Sequence, residues 1–334
     1  MKGFGPADSS ASPRFAGIST FLRLPHVTDL GGVDVAIVGL PFDTGATYRA
    51  SARFGPKAIR EGSLTLRPHY NPAQRVAVFE RLSVIDFGDV SVASGFTARS
   101  HDAMTATLSS IHAAGTVPIA LGGDHGVLLP ELRAAAEQHG PLALVLFDAR
   151  SDTADESLGE KYNHGTAVRR AVEEGLIDPA RSTLMGMRGG MNQADEYEAD
   201  REMGFLVFPW DELAQLGSGA VAGAVDRAGD SKAFVSFDIS FVDPAFAPGV
   251  DTPEVGGPTS MQALALLRAA RGLHVAAADV VEVLPDLDHA HITATLAATI
   301  AWEILALIAC DRPLPEVKAR AETSKVARTP EAKA

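Results

Sequence analysis

Residues 117–152 read VPIALGGDHGVLLPELRAAAEQHGPLALVLFDARSD, two solidly apolar runs around a segment with Leu, Ala and Glu at helical spacing. Val117–Leu121 and Leu142–Asp148 have the length of strands, and Gly126–Glu137 between them has the length of a helix. Apolar residues at successive positions, not alternate ones, predict strands covered on both faces. Strand, helix and strand in this order predict a parallel β–α–β unit. Each apolar run ends in polar residues, Leu121-Gly122-Gly123-Asp124-His125 after the first and Asp148-Ala149-Arg150-Ser151-Asp152 after the second.

The same alternation extends in both directions. Further strands are expected at Val33–Leu40, Ser83–Asp86, Thr183–Met187, Phe205–Phe208, Phe234–Asp238 and Ala276–Val283, and helices at Pro56–Glu61, Ala103–Ala114, Ala167–Glu174, Ser260–Ala270 and Ile292–Ile308. The pattern predicts an α/β protein with one mostly parallel sheet and helices on both sides. No linker or internal repeat divides it, so residues 13–312 are expected to form one domain. Residues 1–12 are expected to be a flexible N-terminus and 313–334 a charged tail.

Composition excludes several classes of function. Hydrophobic residues make up 46% of the 334, enough for a buried core, and the formal charge of −13 argues against nucleic acid or an anionic membrane surface. It suits a small cationic substrate. The single cysteine, Cys310, excludes a disulfide framework and a cysteine-rich zinc site. The N-terminus carries no apolar signal core, which leads to an expectation of a cytoplasmic protein. The apolar stretch from Ile292 to Cys310 is interrupted by Thr293, Thr295, Thr299 and Glu303, so it reads as a buried helix and not as a membrane span.

Polar motifs stand where apolar strands end: the two above, and Asp238-Ile239-Ser240 after a third. Sites in open parallel sheets form in the crevice at the strands' C-terminal ends. Three strands thus aim carboxylates and an imidazole at one place. Asp and Ser are also common helix caps and turn residues, but capping requires neither the Asp-x-x-x-Asp spacing nor an accompanying His.

These motifs resemble those of the ureohydrolases, the family of arginase and agmatinase. Pro13-Arg14-Phe15-Ala16-Gly17, Gly39-Leu40-Pro41-Phe42-Asp43, Ala52-Arg53-Phe54-Gly55-Pro56, Gly159-Glu160-Lys161-Tyr162-Asn163-His164-Gly165-Thr166 and Asp243-Pro244-Ala245-Phe246-Ala247-Pro248-Gly249 are similar to the agmatinase branch. The resemblance spans about Pro13 to Ile308. It implies a three-layer α/β/α fold with an eight-stranded sheet, assembled in trimers or hexamers. It also implies two divalent ions, manganese or nickel, that activate water against a guanidino carbon.

By this resemblance the first ion is held by His125, Asp148, Asp152 and Asp238, all present. The second ion shares Asp148 and Asp238 and needs a further His and Asp, where this chain has Arg150 and Ser240. One ion or none is therefore expected. Arg150, permanently cationic and unable to bind metal, is expected to reach into the vacated position and tie down Asp148 or Asp238. His164 matches the family's loop histidine, which shuttles a proton or orients substrate, and Glu282 the carboxylate that grips the guanidinium.

Three functions follow from this reading. The first is a non-catalytic subunit, joined with an active homologous chain in a hydrolase of a guanidino or biguanide C–N bond; paired-subunit metformin hydrolases resemble that arrangement. The second is an active single-metal guanidino hydrolase releasing urea or a urea derivative. The third is a non-enzymatic binder of a cationic guanidino ligand.

Overall fold

The computed structural model describes residues 3–8 and 10–312, so the expected charged tail lies outside the described residues. In chain order the strands are β1 (Val35–Gly39), β2 (Tyr70–Asn71), β3 (Val76–Ala77), β4 (Val84–Asp89) and β5 (Val117–Leu121). They continue with β6 (Ala143–Phe147), β7 (Thr183–Met185), β8 (Leu206–Phe208), β9 (Lys232–Asp238) and β10 (His274–Val281). Eight of them form one sheet in the order β4-β1-β5-β10-β9-β6-β7-β8. Every pairing in it is parallel. The short pair β2–β3 is an antiparallel hairpin that the sequence pattern did not indicate.

The solid apolar runs have the meaning expected of them. In β6, Ala143, Val145 and Phe147 enter the core on one face of the sheet, and Leu144 and Leu146 enter the core on the other. In β1, Val35 and Ile37 are separated in the same way from Ala36 and Val38. Side chains alternate across a strand, so a strand covered on both faces favours apolar residues at successive positions. Each large side chain buried this way contributes about 1.5–3 kcal/mol.

One helical layer consists of α1 (Gly55–Ser63), α8 (Ser218–Ala228), α9 (Ser260–Ala269) and α10 (Ile292–Asp311). The other holds α3 (Thr97–Ala113), α4 (Leu128–His139) and α5 (Ala167–Glu173). The remaining helices, α2 (Val78–Arg81), α6 (Glu196–Glu202) and α7 (Trp210–Leu216), are short, and none of the three was expected from the sequence; nor was α8. In α8, SGAVAGAVDRA has glycines and small residues in place of a strong apolar stripe, so its packing and not its pattern makes it a helix. Near the N-terminus, Phe4 donates its amide to Ser83 Oγ and accepts from Val84 at the start of β4.

Helix α10 is long and apolar enough to cross a membrane by composition, but 78% of its most apolar window is buried inside the fold. Glu303 near its middle is fully buried. Its Oε1 accepts two bonds from Arg268 of α9, at 3.0 and 2.6 Å, and its Oε2 accepts from Asn71 at 2.9 Å and Gln74 at 2.7 Å. One carboxylate therefore joins α10, α9 and the β2–β3 hairpin. Glu303→Ala leaves the guanidinium and two amides without their acceptor and should cost about 3 kcal/mol, near the lower bound for a broken buried pair because Arg268 stays partly in water. Urea unfolding of the variant against wild type checks this, and a loss below about 1 kcal/mol would contradict it.

Candidate active site

Four adjacent strands, β5-β10-β9-β6, deliver the site at their C-terminal ends. His125 follows β5, Glu282 follows β10, Asp238 ends β9, and Asp148 and Asp152 follow β6. The turn carrying His125 needs glycine for space. A Cβ at Gly123 would lie 1.6 Å from the Phe42 carbonyl oxygen, and one at Gly122 would lie 2.5 Å from Val281 Cγ1. Asp152 and Glu282 sit in the left-handed backbone region at φ of 53° and 64°. Such strain in non-glycine residues concentrates at functional sites.

His125 Nδ1 lies 2.7 Å from Asp152 Oδ2, 3.2 Å from Asp148 Oδ2 and 3.6 Å from Asp238 Oδ2. All four side chains are buried. His125 Nδ1 and Asp148 Oδ2 nevertheless make no well-directed hydrogen bond among the described residues. Converging nitrogen and oxygen donors without directed bonds fit a hard divalent ion. His125 Nε2 is bonded to Ser236 Oγ at 2.9 Å, and Ser236 donates to Asp279 Oδ1 at 2.8 Å. This outer chain orients the imidazole with Nδ1 towards the carboxylates.

The capping alternative and the ligand reading hold together. Asp148 Oδ1 accepts the Arg150 amide at 3.0 Å, and Asp238 Oδ1 accepts the Ser240 amide at 2.6 Å. Each carboxylate thus braces its own loop with one oxygen and faces His125 with the other. Asp124 and Asn163 act as caps, accepting from the amides of Gly126 and Gly165.

Electrostatics follow from this crowding. Burial, Asp148 and Glu282 push the Asp238 carboxyl well above its ordinary range. Burial also opposes charge on Asp148 and His125, but their mutual contact outweighs it, lowering the one and raising the other. Asp124, wholly enclosed and near Glu282, is pushed up to about 8.

Arg150 departs from the expectation. Its guanidinium bonds the Thr252 hydroxyl at 2.5 Å and the Thr252 carbonyl at 3.1 Å. No carboxylate lies within ion-pair distance of it among the described residues. The tie to Asp148 comes from Ser240, whose Oγ donates to Asp148 Oδ1 at 3.0 Å. That oxygen also receives the Arg150 amide, while Thr252 holds the Arg150 guanidinium away from it. Arg150 acts on the cluster through its field, the nearby carboxylates holding its charge more firmly than burial weakens it.

His164 and Glu282 meet, Nδ1 to Oε1 at 3.1 Å, and Glu282 Oε1 also accepts the His125 amide at 2.8 Å. The sequence reading missed Asp251, a buried carboxylate beside this pair. Its loop, Val250-Asp251-Thr252, has neither periodicity nor motif spacing to reveal it. Asp279 and the buried Glu131 were also missed. For Asp279 a signal existed, a charged residue inside an apolar strand, as for Glu282. A cavity of about 710 Å³ opens beside the cluster, its wall including Asp152, His164, Arg150, Thr252, Met187 and Arg188. This volume is that of a small-molecule site.

Comparison with known proteins agrees with this geometry. The sequence pattern of the arginase family matches residues 33–307. Guanidinopropionase of Pseudomonas aeruginosa is 44% identical over 306 residues, 91% of this chain and 96% of that protein. Mitochondrial agmatinase of Gallus gallus is 41% identical over 304 residues, 91% of this chain and 89% of that one. The solved structure of proclavaminate amidino hydrolase from Streptomyces clavuligerus superposes with a TM-score of 0.85 at 40% identity, covering 90% of this chain and 99% of that one.

The His164–Glu282 pair has a pH signature in the metal-free chain. Burial lowers the His164 pKa, but the hydrogen bond and charge of Glu282, with Asp152 and Asp124, raise it from 6.5 to about 10. A histidine raised in the folded state adds stability fully below its unfolded pKa and loses it as pH rises through the folded one. The stability difference between wild type and His164→Gln should therefore be largest below pH 6.5 and shrink as pH approaches about 10. Urea unfolding with chelator across that window measures it; a difference that widens with pH would refute the pairing.

Proposed function

This chain belongs to the arginase family, and on that premise we propose that it hydrolyses a small guanidino compound with an ion held by His125, Asp148, Asp152 and Asp238. The observation carrying this reading is the approach of three buried carboxylate oxygens to His125 Nδ1, all within 3.6 Å. A divalent ion, when bound there, supplies an activated water near neutral pH. Asp152, a member of the ion-binding set, stands on the wall of the adjoining cavity, where its charge favours entry of a cationic guanidino group. His164, bonded to Glu282 and to Thr47 Oγ1 at 2.9 Å, is placed to hold or pass a proton at the cavity wall. Relatives named guanidinopropionase, guanidinobutyrase and agmatinase support the substrate class.

A second reading, the non-catalytic subunit, draws support from Arg150 and Ser240. Ser240 Oγ donates to Asp148, a residue that by the family resemblance two ions would share. In this reading the chain pairs with a homologous chain carrying His and Asp at the corresponding positions.

Urea release from guanidinopropionate, guanidinobutyrate and agmatine by the purified full chain, with manganese or nickel added, separates the two. The enzyme reading expects turnover by the chain alone and a loss of more than about 100-fold in Asp152→Asn, since even outer-shell changes cost 10–100-fold. No turnover alone, with activity only after co-expression with such a homologue, would replace it with the subunit reading.

A further inference from the structure

We propose that Asp251 is a positioning residue: by accepting the Arg49 amide it holds segment 44–51 in place, and so keeps the Thr47 hydroxyl against His164 at the cavity wall. The segment lies between β1 and α1 and contains no helix or strand. Its conformation therefore depends on what its amides meet outside it. The inference rests on the proposed hydrolysis for its purpose, since His164 is the group that holds or passes a proton there, but not for its test.

Three carboxylates hold the segment. The Gly45 amide donates to Asp124 Oδ2 at 2.7 Å, the Arg49 amide to Asp251 Oδ1 at 2.5 Å and the Ser51 amide to Asp43 Oδ2 at 2.9 Å. From Thr47 to Ala50, Arg49 has the only hydrogen-bonded amide among the described residues. Asp124 and Asp43 thus fix the two ends, and Asp251 fixes the middle. Buried Ser51 takes a φ of 125°. A residue with a side chain keeps such a strained backbone only where its surroundings hold it.

Asp251 itself is firmly mounted. Two residues before it, the Gly249 amide donates to Thr293 Oγ1 at 2.9 Å, and the Gly249 carbonyl accepts the Leu284 amide at 2.8 Å. Thr293 is fully buried at the start of α10. Asp251 is 1% exposed, and the Arg49 amide is its one hydrogen-bond partner among the described residues. An amide bonded to a carboxylate is held more strongly than one bonded to a neutral acceptor.

What the segment delivers is Thr47. Its Oγ1 lies 2.9 Å from His164 Nε2, and the residue lines the cavity. A charged imidazole has two N–H donors. Glu282 Oε1, 3.1 Å from Nδ1, accepts one, and Thr47 is the acceptor for the other. The His164 amide also donates to the Gly45 carbonyl at 3.3 Å, so the segment meets this histidine at backbone and side chain. A hydroxyl that retreats by about 1 Å no longer makes such a bond, and the Arg49 tether, two residues from Thr47, prevents that retreat.

Asp251→Asn and Asp251→Ala remove the same charge, but asparagine keeps an oxygen that accepts the Arg49 amide. Any difference between them therefore reports the acceptor. Hydrogen exchange of the full chain, stripped with chelator, is read by mass spectrometry in peptides covering 44–51. Asp251→Asn should stay near wild type, and Asp251→Ala should exchange one further amide roughly tenfold faster, as for one lost hydrogen bond to a buried acceptor. Exchange of the His164 Cε1 hydrogen in the same samples gives the pKa of that imidazole. The Ala variant should hold the His164 proton roughly tenfold more weakly than the Asn variant, because the charged form has lost an acceptor. With Thr47→Val added, the two should agree. Circular dichroism establishes folding; if Asp251→Ala does not fold, Arg49→Pro, which deletes the donor, is compared with Arg49→Ala, which keeps it, on the His164 readout. Absence of either difference would overturn the inference, and so would a His164 difference that survives Thr47→Val. Turnover is not read, so failure of the hydrolase reading leaves the result intact.

Discussion

Four buried carboxylates at the ends of three neighbouring strands must coexist without driving one another out of the fold. Asp148, Asp152, Asp238 and Glu282 are each less than a tenth exposed, and like charges at such range raise one another's pKa and loosen the site. For Asp148, Asp238 and Glu282 the structure resolves this by fixing one oxygen of each. One oxygen accepts a backbone amide, from Arg150 to Asp148, from Ser240 to Asp238 and from His125 to Glu282. The opposite oxygens of Asp148 and Asp238 face His125, and His164 meets Glu282 at the oxygen that accepts the amide. The sheet order, the left-handed backbone at Asp152 and Glu282, and the glycine pair before Asp124 all serve this convergence.

The same constraint explains what became of the two departures from the family pattern. Ser240 is short, neutral and able to donate, so it satisfies Asp148 without adding charge. Arg150 carries a positive charge near the cluster but is held away from it by Thr252.

The conserved outline with arginase-family proteins extends beyond the strands to their helices, as the superposition over 90% of the chain indicates. Most of that outline was readable in one dimension. All eight sheet strands coincide with apolar runs, because a strand sandwiched between helices must be apolar on both faces. The buried reading of α10 also came from the sequence, since Glu303 within an apolar helix requires a buried partner, and Arg268 supplies it. Helices α6, α7 and α8 escaped because short or alanine- and glycine-rich segments depend on their packing for helicity.

For the site, sequence alone indicated which strand ends carry the candidate ligands. His125, Asp148, Asp152, Asp238, His164 and Glu282 all reach one crevice, and motif position sufficed because a parallel sheet presents every strand's C-terminal end on the same side. Sequence also identified Arg150 and Ser240 as the altered pair. Tertiary structure decided that the Ser240 side chain and not the Arg150 guanidinium contacts Asp148, because Thr252 holds that guanidinium elsewhere. It alone brought Asp251 to Glu282 and His164, across separations of 31 and 87 residues in the chain. No local pattern encodes that encounter, since loop placement is set by the elements the loop connects and by the surfaces against which it packs.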